Sequence, residues 1–399
     1  MKNNYNLTLF SCFTGYVVQA IVNNFLPLLF ITLQREYSLE LSQITLLITV
    51  NFAVQLLTDI ACAKLIDFIG YRASAITAHI FCAAGLIFLT FLPSLMPAAF
   101  SGLIICVVIY AVGGGMIEVL VSPVTEGCPT KNKEKAMSLL HSFYCFGHMG
   151  VVLISTLFFA AFSVEHWRIL VALWALIPIF NIFTFSICPI NTPAQEGERS
   201  LKIRDLFKSG AFWVLFFMML CAGASEQAVS QWASAFAEKG LNVSKTLGDI
   251  LGPMAFALAM GLSRMFYAKK EKGLQLDRFI ILSLILCVLS YLAISLIPVP
   301  AIGLIACALC GFSVGILWPG TFSTAARTFK NGGTAMFALL ALAGDIGCMT
   351  GPTLAGAVSN AAGGSLSTGL LSAIIFPLAM LACAVFNLKH DGKGLKIKS

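Results

Sequence analysis

YAVGGGMIEVLVSPVTE, from Tyr110 to Glu126, decides what kind of molecule this chain is. Three consecutive glycines and a run of aliphatic residues surround one carboxylate, Glu118. The apolar stretch around it is long enough to cross a hydrocarbon core, and an acid held at that depth costs about 3 kcal/mol on insertion scales. Such acids face a bundle interior or a wet cavity, so Glu118 is either functional or an interhelical clamp paired with a base.

The rest of the chain has the same character. Of its 399 residues 58% are hydrophobic and 11% charged, and the mean hydropathy is +0.90. Apolar windows of spanning length recur near 7–33, 44–65, 74–92, 98–122, 136–162, 168–188, 212–236, 246–267, 279–297, 301–325, 334–358 and 366–388. They predict an all-α membrane protein with twelve crossings, the first a retained helix because the short polar tail before it lacks a signal-cleavage site. The thirteen cysteines lie in apolar segments and read as small buried hydrophobes, including the single CxxC at Cys307 and Cys310.

Lys and Arg gather on alternate loops, with Lys64, Arg72, Lys131, Lys133, Lys135, Arg199, Lys202, Arg204, Lys269, Lys270 and the tail Lys389 to Lys398 on one side. Insertion holds that side in the cytoplasm, which places both termini there. Topology thus explains the net charge of +7, and no nucleic-acid partner is needed. The polar stretch of residues 191–210 divides the crossings six and six, giving a bundle over 1–190, a cytoplasmic linker over 191–210 and a second bundle with a short basic tail over 211–399. Two repeated halves of this kind place a solute near the midplane. A weak echo between the halves, AKLIDFIGYR at Ala63 to Arg72 and GLSRMFYAKKEKG at Gly261 to Gly273, fits that layout.

The first of these segments resembles the cytoplasmic loop signature of the major facilitator superfamily, with Leu65, Asp67, Gly70 and Arg72 matching. The resemblance implies two pseudo-symmetric six-helix bundles, with Asp67 and Arg72 as gate residues that latch the halves. The opening stretch is similar to the fourth helix of the fucose:proton symporter family, through Gly113, Gly115, Glu118 and Pro123, with Ser122 in place of an asparagine. LWPGTFS at Leu317 to Ser323 resembles that family's tenth helix and implies a substrate contact for Trp318; GASEQAVSQW at Gly223 to Trp232 resembles its seventh. The first helix departs from the pattern, since Asn23 and Asn24 precede Pro27 where the family has Asn-Asp. One carboxylate of the coupling pair is therefore missing, and Asp345, in AGDIGCMTGP, is a candidate to compensate.

Read directly, Gln19 and Asn23 on the first helix, and Gln227 and Gln231 with Trp232 on the seventh, form polar faces at steps of four. Amides offer both donors and acceptors to hydroxyls, and an indole packs against the apolar side of a pyranose, so these residues and Asn24 suit a neutral sugar or polyol. The other reading is that the amides glue helices together. His141, Tyr144 and His148 share one face of the fifth helix. His148, deeper, fits a proton relay; His141 and Tyr144 fit substrate or gate contacts. Of the remaining acids, Glu226 lies near mid-membrane, whereas Asp59 follows Asn51 and Gln55 at steps of four toward one end and reads as structural.

No GxxxxGK[ST] loop, metal-ligand pair or nucleophile–base motif is present, so the expectation is a transporter without cofactor or metal, and not an enzyme. It is expected to be a monomer in a bacterial inner membrane, moving a small solute, a sugar in the first place, with protons. Glu118, Glu226, Asp345 and His148 are the coupling candidates. The alternatives are an exporter of drugs or metabolites with the same fold and a lipid-handling protein or membrane enzyme.

Overall fold

The structure, a computed structural model, describes residues 5–130, 133–191, 203–270, 275–329 and 333–391, without the side chains of Asp67 and some residues at helix ends. All regular structure among the described residues is helical. Twelve helical spans are long and apolar enough to cross a membrane: α1 (Tyr5–Tyr37), α2 (Leu41–Cys62), α3 (Tyr71–Leu89), α4 (Ala99–Glu126), α5 (Leu139–Phe162), α6 (Val164–Ile187), α7 (Gly210–Gly240), α8 (Lys245–Tyr267), α9 (Leu276–Leu296), α10 (Pro300–Thr328), α11 (Met336–Ala361) and α12 (Leu366–Leu388).

The chain forms two compact units, Met1–Gln195 with Lys245–Ile250, and Glu196–Ser244 with Leu251–Ser399. The start of α8 therefore groups with the first unit, a difference from the division expected at the linker. There Lys245 Nζ pairs with Asp249 at 3.0 Å and donates to Leu28 O at 2.5 Å.

In the first unit α4 packs against α1, α2 and α3. Its glycines make this possible, because a Cβ on Gly115 would lie 2.8 Å from Gln55 O and 2.9 Å from Asp59 Oδ1 of α2. The sequence reads α1 as one continuous span. In the structure it breaks into Tyr5–Asn24, a tight turn at Leu26–Leu29 and Phe30–Tyr37, since Pro27 has no N–H to give the helix ladder. Beyond the break, Glu36 pairs with Arg168 at the start of α6 and accepts from Trp167 Nε1 at 2.8 Å.

A buried knot fastens α1, α3 and α6. His79 Nδ1 lies 2.7 Å from Ala75 O and its Nε2 lies 2.8 Å from Asn181 Nδ2. The first nitrogen faces a carbonyl and so carries the proton; the second faces an amide donor and accepts. Asn181 Nδ2 also donates to Ser11 O at 3.0 Å, and Asn181 Oδ1 accepts from Thr184 at 2.6 Å. Every polar atom of the knot is thereby satisfied, which burial requires.

Arg72, expected at a gate, has its guanidinium on the last carbonyls of α6: Nη1 donates to Phe185 O at 2.8 Å and Ser186 O at 2.6 Å, and Nη2 to Cys188 O at 2.7 Å. These are the acceptors that a helix end leaves unpaired, and a cation is favoured there. Arg72→Gln is expected to lower the melting temperature of the purified protein by a few degrees, since charged hydrogen bonds of this kind contribute about 1.5–3 kcal/mol before discounting for solvent; an unchanged melt would remove the cap from the stability account. Beside it, burial pushes the Cys128 thiol up to about 11 and raises that of Cys188. Both are unreactive packing groups.

In the second unit α7 and α11 form the most extensive helix pair, in backbone contact along Leu220, Gly223 and Ala224 on one helix and Gly344, Gly347 and Gly351 on the other. Trp232 Nε1 donates to Pro352 O at 3.0 Å across the same pair, and the indole is fully buried. Tyr291 of α9 donates to Ser225 O at 2.7 Å.

Candidate functional site

Each unit carries a polar face inside an otherwise apolar bundle. In the first unit α1 supplies Gln19 and Asn23, α2 supplies Asn51, Gln55 and Asp59 at steps of four, and α4 supplies Glu118. Gln19 Nε2 donates to Glu118 Oε2 at 2.5 Å. Gln55 Nε2 donates to Asn23 Oδ1 at 2.7 Å, and Asn51 Nδ2 donates to the same oxygen at 3.2 Å. Asn23 is thus the hub at which the amides of α2 converge. The far atom of that cluster, Asn51 Oδ1, is buried without a hydrogen-bond partner among the described residues.

The structure brings Asp59 to this site although its spacing suggests a purely structural acid. Its carboxylate oxygen lies within 4.8 Å of that of Glu118, packed against Gly115. Two carboxylates at this distance repel unless a proton or another cation lies with them. The arrangement can therefore bind positive charge reversibly, which coupling requires.

On α5 the candidates divide. Tyr144 OH accepts from Asn24 Nδ2 at 3.5 Å, and Asn24 also donates to Ala20 O at 3.0 Å. Tyr16, which lies 3.3 Å from Ser122 Oγ, has its ring 5.6 Å from that of His141 and 6.3 Å from that of Tyr144. His141 is exposed. His148 is 3% exposed and has no hydrogen-bond partner among the described residues, so its imidazole nitrogens remain for water or solute.

In the second unit the polar face is on α7. Gln231 Nε2 donates to Gln227 Oε1 at 3.1 Å, and Gln227 Nε2 donates to Glu226 Oε1 at 3.3 Å. Ser230 lies on the same face, three residues from Gln227, and its hydroxyl is buried with no hydrogen-bond partner among the described residues. Most buried hydroxyls in such helices return to the carbonyl one turn back, as Thr321 does to Leu317 O at 2.7 Å. The charged neighbour of Glu226 is Arg264 of α8, whose Nε donates to Gly315 O at 3.0 Å. Asp345 sits on α11 beside Gly344, and a Cβ on Gly344 would lie 2.1 Å from the ring of Trp318. The Trp318 ring therefore packs on the α11 backbone at Gly344, one residue from Asp345 in the sequence.

Sequence reasoning missed three parts of this picture. Asn51 and Gln55 are visible as a step-of-four pair, but only the fold shows that they meet Asn23. Ser230 completes the stripe Gln227, Ser230, Gln231, Ser234 at helical spacing, which was there to be read. Arg264 stands in a segment rich in loop charge, where nothing local marks it as the partner of an acid.

The family model for the Major Facilitator Superfamily matches residues 9–352. No curated protein sequence matches the chain. Among solved structures, a bacterial homolog of the human lysosomal transporter Spinster, inward-facing and occupied, aligns with a TM-score of 0.72 at 14% identity over 98% of this chain and 96% of that one. The E. coli fucose:proton symporter aligns with a TM-score of 0.65 at 17% identity over 96% and 98%. A POT family transporter in complex with 5-aminolevulinic acid aligns with a TM-score of 0.72 at 14% identity over 98% and 95%. At these identities the likeness establishes a shared fold.

Proposed function

The chain belongs to the Major Facilitator Superfamily, and from that premise we propose that it is a secondary active transporter carrying a small polar solute, a sugar in the first place, together with protons. One observation supports this reading above the others: a carboxylate at membrane depth, Glu118, is held by Gln19 at 2.5 Å beside a face of amides. The acid supplies proton exchange and the amides supply hydroxyl recognition. Glu118, Glu226, Asp345 and His148 take the proton-coupling roles. Gln19, Asn23, Asn24, His141, Tyr144, Gln227, Gln231 and Trp318 contact solute or order the groups that do. Trp232, with its N–H given to α11, acts through the position of its neighbours. Asp67 and Arg72 belong to the gate, with Arg72 also capping α6. The basic loops support an orientation with both termini in the cytoplasm; the setting proposed with it is a bacterial inner membrane, with the protein working as a monomer.

A second reading has its own support. Asp59 and Glu118, with carboxylate oxygens within 4.8 Å, suit a cationic solute, which would make the protein a proton-coupled exporter.

Proteoliposomes separate the two. Accumulation of a labelled monosaccharide under an inward proton gradient, abolished by a protonophore, is the expected result. Exclusion of every sugar, with antiport of a cationic amine instead, would establish the second reading. In the same assay Gln231→Ala is expected to raise the apparent solute constant about tenfold, because a lost hydrogen bond costs about 0.5–1.5 kcal/mol and 1.4 kcal/mol is a factor of ten. An unchanged constant would make the α7 amides structural glue.

A further inference from the structure

We propose that Arg264 of α8 anchors the carboxylate of a singly charged solute, so that the cargo is a small monocarboxylate and, where it is a sugar, a sugar acid. The inference deepens the reading above and rests on it, since it takes the chain as a carrier of a small polar solute.

Arg264 stands half-buried inside the α8 span, six residues before that helix ends at Lys270. A guanidinium in a membrane helix is costly and is met by an acid, a carbonyl or a wet cavity. The sequence of α10 explains the carbonyl. In a continuous helix the oxygen of Gly315 would accept from the N–H four residues on, but that residue is Pro319, which has none. The helix is interrupted between Val314 and Leu317, and Arg264 Nε takes the freed oxygen at 3.0 Å. Gly315 also lets the two helices meet, because a Cβ on it would lie 2.6 Å from Met260 O of α8.

That bond uses one of the five N–H donors of a guanidinium. The other four, on Nη1 and Nη2, have no hydrogen-bond partner among the described residues, and Arg264 forms no ion pair there. Other arginines of the chain spend these groups on the protein: Arg72 on the carbonyls that end α6, Arg168 on Glu36 and Arg327 on Asp277. A clamp on Gly315 accounts for Nε and leaves the outer edge of Arg264 without a use. The clamp also aims that edge. A guanidinium is planar and rigid, so fixing Nε fixes the direction of the two outer N–H bonds, whose parallel fork matches the two oxygens of a carboxylate.

Charge narrows the class to a monoanion. Glu226 of α7 acts on Arg264 through its charge but takes none of its hydrogen bonds. The other bases in the described spans of the second unit sit at helix ends: Lys239 at the end of α7, Arg278 in the first turn of α9 and Arg327 in the last turn of α10. One interior cation suits one negative charge, and a phosphate dianion would lack a second.

Thermal melts of the purified protein in detergent, at constant sodium and ionic strength, test the anchor with acids and their neutral counterparts as probes: gluconate against glucitol, galacturonate against galactose, and lactate against propane-1,2-diol. The expected result is a saturable rise in melting temperature for at least one acid, with a smaller rise or none for its counterpart. Arg264→Gln should weaken the apparent dissociation constant of that acid about tenfold or more, because it removes charged hydrogen bonds. Arg264→Lys keeps the charge without the fork and should weaken it less. A neutral counterpart that stabilises as much as its acid, or more, would overturn the anchor and leave the polar-solute reading standing. An acid constant unchanged in Arg264→Gln would also overturn it, by reducing Arg264 to the clamp on Gly315. No saturable rise from any probe would count against both readings. Where Arg264→Gln fails to fold, the acid-against-neutral comparison in the wild type and in Arg264→Lys decides.

Discussion

Glu118→Gln is expected to abolish accumulation driven by a proton gradient while leaving solute counterflow close to the wild-type rate. The amide mimics a carboxyl that never loses its proton, so solute can still bind and cross, but no proton is carried with each cycle. The local structure should tolerate the change. Gln19 Nε2, which donates to Glu118 at 2.5 Å, finds the new carbonyl oxygen in nearly the same place, and the repulsion from Asp59 disappears. Glu118→Ala is the contrasting variant, since it leaves the Gln19 amide without its acceptor at a cost of about 1–3 kcal/mol. Counterflow beside gradient-driven uptake in the same proteoliposomes makes the comparison. Full pH-driven accumulation by Glu118→Gln would exclude this residue from coupling and move the test to Glu226 and Asp345. Loss of both activities would identify a structural clamp.

Gly347→Val should prevent assembly of the second unit. A Cβ at this position would lie 2.0 Å from Leu220 O and 2.8 Å from Ala224 N, all backbone atoms of α7 that no rotamer change can move aside. Separating the two helices would also pull Trp232 from Pro352 and break the contact with the greatest extent in that unit. Overpacking of a core costs about 1–3 kcal/mol where side chains can yield; here the cost should exceed that range. The expected result is loss of the monodisperse peak on size-exclusion chromatography in detergent. Gly150 is the control, because a Cβ there meets nothing within 4 Å. Gly150→Ala should behave as wild type, and a monodisperse Gly347→Val would show that the α7–α11 contact can open without loss of the unit.

The twelve spans were legible because a hydrocarbon core imposes a length, and apolar windows of that length are hard to form by chance. Glu118 was legible for the related reason that an acid inside such a window stands out. What escaped are pairings between distant segments. His79 and Asn181 are single polar residues on separate helices, with no local pattern, and they become a knot only when α3 and α6 lie side by side. Asp59 illustrates the same limit in reverse: its step-of-four register with Asn51 and Gln55 was visible, but a register fixes a face and not the neighbour that face meets. Arg72 carried a family role by resemblance, whereas its carbonyl partners on α6 could be known only from the fold. Asp67, its companion at the expected gate, has its side chain outside the described residues.

The break at Pro27 makes α1 mechanically uneven. Its longer segment holds Gln19 on Glu118 of α4 and Asn23 among the amides of α2, and its shorter segment is clasped to the start of α6 through Glu36, Trp167 and Arg168. A continuous helix would transmit bending from one clasp to the other like a rod. The tight turn at Leu26–Leu29 interrupts the ladder, so the two segments are not held to one axis by a continuous run of hydrogen bonds, and the end that carries Gln19 and the end clasped through Glu36 need not move as one rod.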